Sequence, residues 1–153
     1  MIIRSVKKSN LADLMKLLEK MVEYHHSLDS YYKPFSKYKN LRNEIASWLE
    51  DKNNLILVAE EGRELIGYFR VGVEKAPAYI DRDKIGIVYD VFVLKSYRRQ
   101  GIAEMLFNEA FSWFQKKKIK NIELNVDVRN EAAIKFWKKL GFSEYKLRMR
   151  LDL

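Results

Sequence analysis

Four residues in one short turn combine positive charge with an uncovered backbone. Arg98 and Arg99 supply two full positive charges, while Gly101 and Ala103 leave the neighbouring backbone accessible to a ligand. Backbone amides and arginine side chains together suit a phosphate or pyrophosphate group. The alternative is an ordinary turn whose arginines are only solvated, since the turn has neither a Walker Gly-Lys-Ser/Thr sequence nor the Gly-x-Gly-x-x-Gly pattern of dinucleotide sites.

The elements on either side of this turn favour the anion site. Residues 85–93 form a dense run of β-branched and aromatic side chains, which predicts a buried strand. Residues 102–118 repeat apolar side chains at helical spacing, which predicts a helix that begins at the turn. The first N–H groups of such a helix have no internal partner and carry partial positive charge, so this helix start is suited to an anion.

A second segment makes the interpretation more specific. Residues 130–142 follow another strand-like run at 119–128 and read Asn-Glu-Ala-Ala-Ile-Lys-Phe-Trp-Lys-Lys-Leu-Gly-Phe. This segment is similar to the Asn-x-x-Ala-x-x-Phe-Tyr-x-x-x-Gly-Phe motif of the GCN5-related N-acetyltransferase superfamily. The turn from Arg98 to Ala103 resembles that family's Arg/Gln-x-x-Gly-x-Gly/Ala signature. Order and separation also match, and the similarity covers nearly the whole chain.

The resemblance implies the acyl-CoA N-acyltransferase fold. This is an α/β architecture in one domain over residues 1–153, with a mixed, mostly antiparallel central sheet of about six or seven strands and about four flanking helices. Residues 85–93 and 119–128 are expected to form a parallel, splayed pair because a helix connects them. The other predicted strands are 1–6, 54–60, 64–73 and a final strand, and the other predicted helices are 11–24 and 38–50.

The splayed pair would receive acetyl-CoA as cosubstrate, with no metal. By the resemblance, the pantetheine arm would bond to the strand backbone, the pyrophosphate would meet the turn amides, and an aromatic pair would lie beside the thioester. The residues implied for cofactor binding are Val91, Phe92, Val93, Arg98, Arg99, Gln100, Gly101, Ile102, Ala103, Asn130, Phe136 and Trp137. Phe136 and Trp137 have an alternative role in a helix core because they fall at helical spacing with other apolar residues.

The implied reaction is acetyl transfer to a primary amine by direct attack on the thioester. A lysine-type amine has a pKa of about 10.4, so a base must take its proton at neutral pH. Asp90 is the candidate base because its position is often acidic in the family, although a strand carboxylate can also be structural. Trp137 replaces the family's usual tyrosine acid, and an indole N–H cannot serve as an acid near neutral pH. Tyr145 is the candidate substitute, unless it only packs on the last strand; the alternatives are a water molecule as the acid or a reaction that requires no acid.

An aromatic segment between the first two strands is the expected acceptor-binding element. The candidate acceptor-binding residues are Tyr24, His25, Tyr31, Tyr32 and Tyr89. The alternative for Tyr31 and Tyr32 is that they cover the edge of the core. Strand alternation predicts that Tyr89 points to the face opposite Asp90. The expected acceptor is a primary amine on a small molecule such as a polyamine, or on a peptide or protein.

Composition restricts the other functions that the chain could have. The absence of cysteine excludes disulfides, thiolate metal sites and a cysteine nucleophile. Adjacent histidines at 25 and 26 point apart on a helix, so no metal site is predicted. No apolar stretch is long enough to span a membrane, and a cytoplasmic protein is expected. A net charge of +8 and the lysine runs keep open a nucleic-acid-binding module, although no nucleic-acid partner is expected. Trp137 in place of the family's tyrosine keeps open a catalytically silent acyl-CoA sensor. Homodimer formation is also open.

Overall fold

One mixed sheet forms the centre of the computed structural model, which describes residues 1–153. Its strands lie side by side in chain order, antiparallel from the first to the fourth and parallel between the fourth and the fifth. The strands are β1 (Ile2–Ser5), β2 (Asn54–Glu61), β3 (Glu64–Lys75), β4 (Lys84–Val93) and β5 (Ile122–Leu124). The helices are α1 (Leu11–Leu28), α2 (Leu41–Glu50), α3 (Ile102–Lys116) and α4 (Glu131–Lys139). The predicted α/β class and the parallel pair are confirmed.

The predicted number of strands is wrong, because the sheet has five strands rather than six or seven. Residues 143–153, where a final strand was expected, belong to no helix or strand. No backbone N–H or C=O group of this segment forms a hydrogen bond with another backbone group. The segment is connected to the rest of the protein by side-chain contacts alone. A strand is defined by pairing with a neighbour, and this segment has no backbone neighbour.

The two faces of the sheet are covered by different helices. Phe69 on β3 points to one face, where its ring lies 6.4 Å from that of Phe107 on α3. The next residue, Arg70, points to the other face and places its guanidinium 3.7 Å from the ring of Trp48 on α2. Successive strand residues alternate in this way, so α3 packs on one face while α1 and α2 pack on the other. The core lies between these layers and the sheet.

Two glycine positions shape the hairpin formed by β2 and β3. Gly62 occupies the turn with a φ of 63°, a left-handed conformation that favours glycine. Gly72 allows a close approach between strands, because a Cβ there would lie 2.7 Å from a ring carbon of Tyr89. The lack of a side chain at this position therefore makes room for an aromatic ring from β4.

Candidate active site

The parallel strands separate beyond a short paired region. Pairing between β4 and β5 is limited to Gly86–Val88 on one strand and Ile122–Leu124 on the other, whereas β4 pairs with β3 along its whole length. The edge of β4 from residue 89 to residue 93 therefore has no strand beside it on the β5 side. This gap is the splayed opening that was predicted.

The backbone of β4 presents polar groups to the opening. The N–H of Leu94 donates to the carbonyl of Ile66 on β3 at 2.9 Å. In an antiparallel pair, the backbone N–H and C=O groups of successive residues point alternately toward the partner strand and away from it. The backbone groups of Phe92 therefore point to β3, and those of Val91 and Val93 point to the opening. The carbonyl of Val93 accepts a hydrogen bond from Arg98 Nε at 2.9 Å, and its N–H remains free for a ligand.

The turn that leads into α3 exposes a row of backbone donors. No backbone N–H of residues 99–104 has an acceptor, and no side chain caps the helix. Gly101 occupies the N-cap with a φ of 77°, and Arg99 also has a positive φ of 66°. By contrast, the start of α4 is closed, because the Asn130 side chain accepts from the N–H of Ala133 at 3.2 Å. The open donors at α3 form a cradle suited to an anion.

A cavity of about 640 Å³ adjoins this turn on the α1 side of the sheet. Arg98 lies in its wall, with its guanidinium 5.7 Å from the ring of Tyr24 and 5.5 Å from that of Phe92. Three cationic side chains and one carboxylate face the cavity. Its lining residues are Lys20, Tyr24, Glu64, Phe92, Leu94, Lys95, Ser96 and Arg98. The cavity is therefore positively charged and partly aromatic.

The candidate base Asp90 lies in an ion pair at a bulge of β4. Arg70 is opposite Asp90 while Val71 is opposite Val88, so Tyr89 is an extra residue in β4. Asp90 Oδ2 accepts from Arg70 Nε at 2.9 Å, and the same guanidinium lies 4.3 Å from the Tyr89 ring. The prediction that Tyr89 and Asp90 point to opposite faces is wrong, because the bulge brings both side chains to Arg70.

A buried tyrosine beside this ion pair was missed by the sequence interpretation. Tyr68 on β3 is 1% exposed, and its hydroxyl has no hydrogen-bond partner in the protein. Burial raises the pKa of Tyr68 well above its usual value, and the negative charge of Asp90 raises it further. A buried hydroxyl is normally paired, so Tyr68 is an unusual neighbour for a candidate catalytic carboxylate. In the sequence it is one more aromatic residue in an apolar strand.

Four of the five predicted acceptor-binding residues come together at the end of α1. The rings of Tyr24 and His25 lie 5.9 Å apart, those of His25 and Tyr32 lie 5.6 Å apart, and those of Tyr31 and Tyr32 lie 6.3 Å apart. Tyr89 is not part of this group. Its hydroxyl donates a hydrogen bond to Glu74. Burial is the main cause that raises the pKa of Tyr89, and this hydrogen bond raises it further.

A charged network joins the aromatic group to the loop between β5 and α4. The hydroxyl of Tyr32 donates to Asp127 Oδ2 at 3.0 Å. Arg129 bridges Asp127 at 2.6 Å and Asp29 at 3.1 Å, and Arg150 donates to Asp29 at 3.0 Å. Hydrogen bonds from Arg129 hold the pKa of Asp127 far below its usual value. These residues are distant in sequence, and no local motif indicates their contact.

The remaining predicted site residues lie at the sides of the opening. Trp137 is 5% exposed and packs in an aromatic core, with its ring 6.2 Å from Phe69, 6.2 Å from Phe107 and 5.3 Å from Phe142. Phe136 is half-buried beside it, with ring centroids 4.9 Å apart. These contacts match the helix-core alternative for both residues.

Tyr145 lies outside the opening. Its hydroxyl donates to Glu123 Oε2 at 2.6 Å, and this bond raises the pKa of Tyr145. Glu123 belongs to the paired part of β5, opposite Ile87, and the Tyr145 side chain is 67% exposed. No group of three or more His, Cys, Asp or Glu side chains is arranged to hold a metal ion. None of the helices is both long enough and apolar enough to cross a membrane.

Known proteins resemble this chain in sequence. Residues 18–142 match the Acetyltransferase (GNAT) family. An uncharacterized N-acetyltransferase of Methanocaldococcus jannaschii is 27% identical over 147 residues, which make up 93% of this chain and 60% of the length of that relative. The N-alpha-acetyltransferase 30 of Schizosaccharomyces pombe is 28% identical over 143 residues, covering 94% of this chain and 84% of that protein.

Solved structures resemble it in fold. The tetramutant of the BH1408 protein from Bacillus halodurans superposes with a TM-score of 0.88 at 22% identity, covering 100% of both chains. The aminoglycoside acetyltransferase AAC(6′)-Iy, in complex with a bisubstrate analogue of CoA and acetylneamine, has a TM-score of 0.81 at 17% identity and covers 99% of this chain and 97% of its own. With the open β4 edge and the amide cradle at α3, the family match leads to one conclusion: the chain belongs to the acetyltransferase (GNAT) family.

Proposed function

We propose that this protein is an acetyl-CoA-dependent N-acetyltransferase that transfers an acetyl group to a primary amine by direct attack on the thioester. The observation that carries the proposal is that two sets of unbonded backbone groups lie close together at one end of the sheet. One is the unpaired edge of β4, and the other is the uncapped start of α3 with free N–H groups at residues 99–104. The first suits an extended amide-containing arm, and the second suits a pyrophosphate.

The residues around the opening fit coenzyme A group by group. The free N–H and C=O of Val91 would bond to the pantetheine amides in the manner of an added strand, and the Val93 N–H would face the thioester. The amides from Arg99 to Ala103 would bind the pyrophosphate, with the positive charge of Arg99 nearby. Phe92 would contribute its side chain rather than its backbone, because its backbone groups point to β3.

The strand backbone also supplies what the transition state needs. Attack of the amine on the thioester moves negative charge onto the carbonyl oxygen, which a positioned N–H stabilises. The Val93 N–H points to the opening and has no other acceptor. The departing thiolate is a fair leaving group, since a thiol has a pKa of about 8.5. A protein acid is therefore dispensable, which agrees with the position of Tyr145 outside the opening.

Asp90 is the residue that we propose as proton acceptor. The Asp90 side chain lies on the sheet face covered by α1 and α2, because it is bonded to Arg70, whose guanidinium contacts Trp48 on α2. Only Oδ2 is bonded to Arg70, and Oδ1 makes no hydrogen bond. Oδ1 would take the proton that the amine loses, directly or through water, while Arg70 holds the carboxylate in place.

The acceptor is proposed to be an amine without a high positive charge. Lys20, Lys95 and Arg98 outnumber Glu64 in the cavity wall, so a polycation would meet repulsion there. The structural neighbour AAC(6′)-Iy is named an aminoglycoside N-acetyltransferase, whereas the Schizosaccharomyces pombe relative is named an N-alpha-acetyltransferase. The charge of the cavity favours an acceptor of the second kind, the amino terminus of a peptide or protein. Acetylation of spermidine or an aminoglycoside in preference to neutral peptides would contradict this choice.

The first experiment is a thermal melt with acetyl-CoA beside a control with 3′,5′-ADP, which lacks the pantetheine and thioester. A ligand at a hundred times its Kd stabilises by about 2.7 kcal/mol, or roughly 5–10 °C in Tm for a chain of this size. We expect a clearly larger shift with acetyl-CoA. Equal shifts, or none, would overturn the cofactor proposal. A shift without thiol release in a screen of amines and peptides would instead support a catalytically silent acyl-CoA sensor.

A further inference from the structure

Lysines from three neighbouring strands come together at the end of the sheet opposite the acetyl-CoA opening. Lys75 at the end of β3 lies directly opposite Lys84 at the start of β4. The parallel register of β4 and β5, continued by two residues, places Lys120 beside Lys84 on the other side. The N–H of Gly86 donates to the carbonyl of Asn121 at 3.0 Å, which keeps the two chains together at this point. We refer to Lys75, Lys84 and Lys120 as the lysine row.

A cavity of about 650 Å³ adjoins the lysine row at the C-terminal end of α3. Five cationic side chains and two carboxylates line it. The cations are Arg82, Lys84, Lys117, Lys118 and Lys120, and the carboxylates are Asp81 and Asp83. Lys117 Nζ donates to the carbonyl of Lys52 at 2.9 Å, so the end of α3 is held to the loop before β2. The cavity is therefore a positively charged recess at the start of β4, whereas the acetyl-CoA opening lies at its end.

The lysines around this recess have no carboxylate partners. The lysine row, Lys117 and Lys118 form no ion pair, whereas four lysines elsewhere do, at 2.7–3.0 Å. Those four are Lys8, Lys16, Lys138 and Lys139. Like charges directly opposite each other in a sheet lower its stability. An anionic ligand would remove this repulsion, so the lysine row is explained best by a ligand of that kind.

The backbone of Lys118 supports the same interpretation. Lys118 has a φ of 57° and follows the C-cap of α3, where glycine is the usual residue. A lysine in this left-handed conformation lowers stability, and strained residues of this kind cluster at binding sites. The strain places one more free ammonium group in the wall of the recess.

An exposed aromatic ring indicates which anion the recess would bind. Tyr79 is 76% exposed and immediately precedes Ile80, which lines the cavity. Lysines that bind phosphates, beside an aromatic ring on which a base can stack, are the combination that binds single-stranded nucleic acid. A membrane surface is flat and would not enter a recess, and an acidic peptide has no base to stack on the ring.

We infer that this end of the protein binds single-stranded nucleic acid, with the phosphodiester backbone along the lysine row and a base stacked on Tyr79. The sequence predicted no such partner, because the lysines at 116–118 end a helix and are favoured there by its dipole. That explanation does not apply to the lysine row, whose members come from three strands and meet only through the register of the sheet. The inference does not depend on the proposed acetyl transfer.

Fluorescence anisotropy with a labelled twelve-nucleotide oligouridylate tests the binding. If the lysine row and Lys118 neutralise four phosphates, the association constant should fall about 50-fold between 50 and 200 mM salt. We expect Lys84→Gln/Lys120→Gln to bind more weakly and to reduce this fall to about sevenfold. The Tm of this variant should be no lower than that of the wild type, because the substitutions relieve like-charge repulsion. A wild-type protein that does not bind the oligonucleotide would overturn the inference.

Two control variants remove the same charge from other places. Lys37→Gln/Lys135→Gln changes two exposed lysines on the rest of the surface, and Lys95→Gln/Arg99→Gln changes the turn before α3. Both should keep the wild-type affinity for the oligonucleotide and its salt dependence. An equal loss of affinity in all three double variants would show attraction by net charge alone. A loss confined to Lys95→Gln/Arg99→Gln would place the oligonucleotide at the acetyl-CoA turn, and either result would overturn the inference.

Tyr79→Ala separates nucleic acid from other anions. Stacking of one base is lost in this variant, so its affinity for the oligonucleotide should fall at least fivefold with an unchanged salt dependence. A labelled peptide of twelve glutamates should bind the wild-type protein more weakly than the oligonucleotide does at the same salt concentration. Wild-type affinity in Tyr79→Ala together with equally tight binding of the peptide would identify an acidic polypeptide as the partner and overturn the assignment to nucleic acid.

Discussion

Arg70 Nε lies 2.9 Å from Asp90 Oδ2, and the guanidinium is held between the rings of Trp48 at 3.7 Å and Tyr89 at 4.3 Å. The side chains of this ion pair are only 15% and 21% exposed. Arg70 is thus fixed by two aromatic contacts, and it fixes the carboxylate in turn. The arrangement leaves Oδ1 of Asp90 without a hydrogen-bond partner in the protein.

Asp90→Asn separates the chemical role of this carboxylate from its structural role. The amide keeps an oxygen that accepts from Arg70 but cannot take a proton, so we expect kcat to fall by about a hundredfold or more with little loss of fold. Thiol release from acetyl-CoA, measured with an accepted amine, gives kcat. Asp81→Asn removes the same charge from an exposed residue and should keep full activity. Wild-type kcat in Asp90→Asn would show that the residue only supports the bulge.

Gly101→Asp tests the amide cradle. Aspartate tolerates a positive φ and is a favoured N-cap, so its carboxylate should occupy the free N–H groups and repel the pyrophosphate. We expect the acetyl-CoA-induced rise in Tm to be lost. Gly62→Asp is the matched control, because Gly62 also has a positive φ and open space where a Cβ would lie, yet it belongs to the β2–β3 hairpin and not to the start of a helix. The same loss in both variants would contradict a local effect at α3.

Tyr68→Phe should not destabilise the protein. The hydroxyl is buried without a protein partner, and an unsatisfied buried polar group costs about 1–3 kcal/mol, so its removal should leave the free energy of unfolding unchanged or raise it. By contrast, Tyr89→Phe removes a hydroxyl that donates to Glu74, and it should lower the free energy of unfolding by about 1 kcal/mol. Denaturant unfolding measures both. A clear decrease in the free energy of unfolding of Tyr68→Phe would contradict this expectation and indicate that a buried water bonds to the hydroxyl.

The parts of this fold that the sequence predicted are those set by local pattern. Helical spacing indicated α3, and the strand-like runs at 54–60 and 64–73 indicated β2 and β3. The bulge at Tyr89 could not be predicted in this way, because it exists only as a mismatch between Arg70 on one strand and Asp90 on another. Simple alternation therefore assigned Tyr89 to the wrong face.

The number of strands was overestimated for a related reason. Residues 145–153 have the alternation of a strand, but no backbone hydrogen bond joins them to a neighbouring strand. The network of Asp29, Arg129 and Asp127 was also invisible, since it joins residues about a hundred positions apart. The cofactor cradle was more accessible to prediction because strand, turn and helix start are contiguous in sequence.

The stability of the acceptor segment should depend on pH through Asp127. Its folded-state pKa lies below the ordinary value of 3.8, so its contribution is complete at higher pH and is lost as pH falls through the folded-state pKa. We expect Asp127→Asn to lower Tm by a few degrees at pH 7 and by the same amount at pH 5, with the difference shrinking below about pH 4. Melts of both proteins across this range, with Asp81→Asn for comparison, measure it. A difference that is constant down to the lowest pH would exclude the ionised carboxylate as the cause.

Trp137→Tyr addresses the residue at which the chain departs from the family motif. The indole packs against Phe69, Phe107 and Phe142 and is 5% exposed, so a tyrosine hydroxyl placed there would meet aromatic carbon rather than a polar partner. We therefore expect the variant to lose about 1–3 kcal/mol of stability and to gain no turnover. Trp137→Phe, which lacks the hydroxyl, should be less destabilised despite its smaller ring. An increase in kcat for Trp137→Tyr alone, with a new pH dependence, would contradict this expectation and show that the hydroxyl reaches the thiolate.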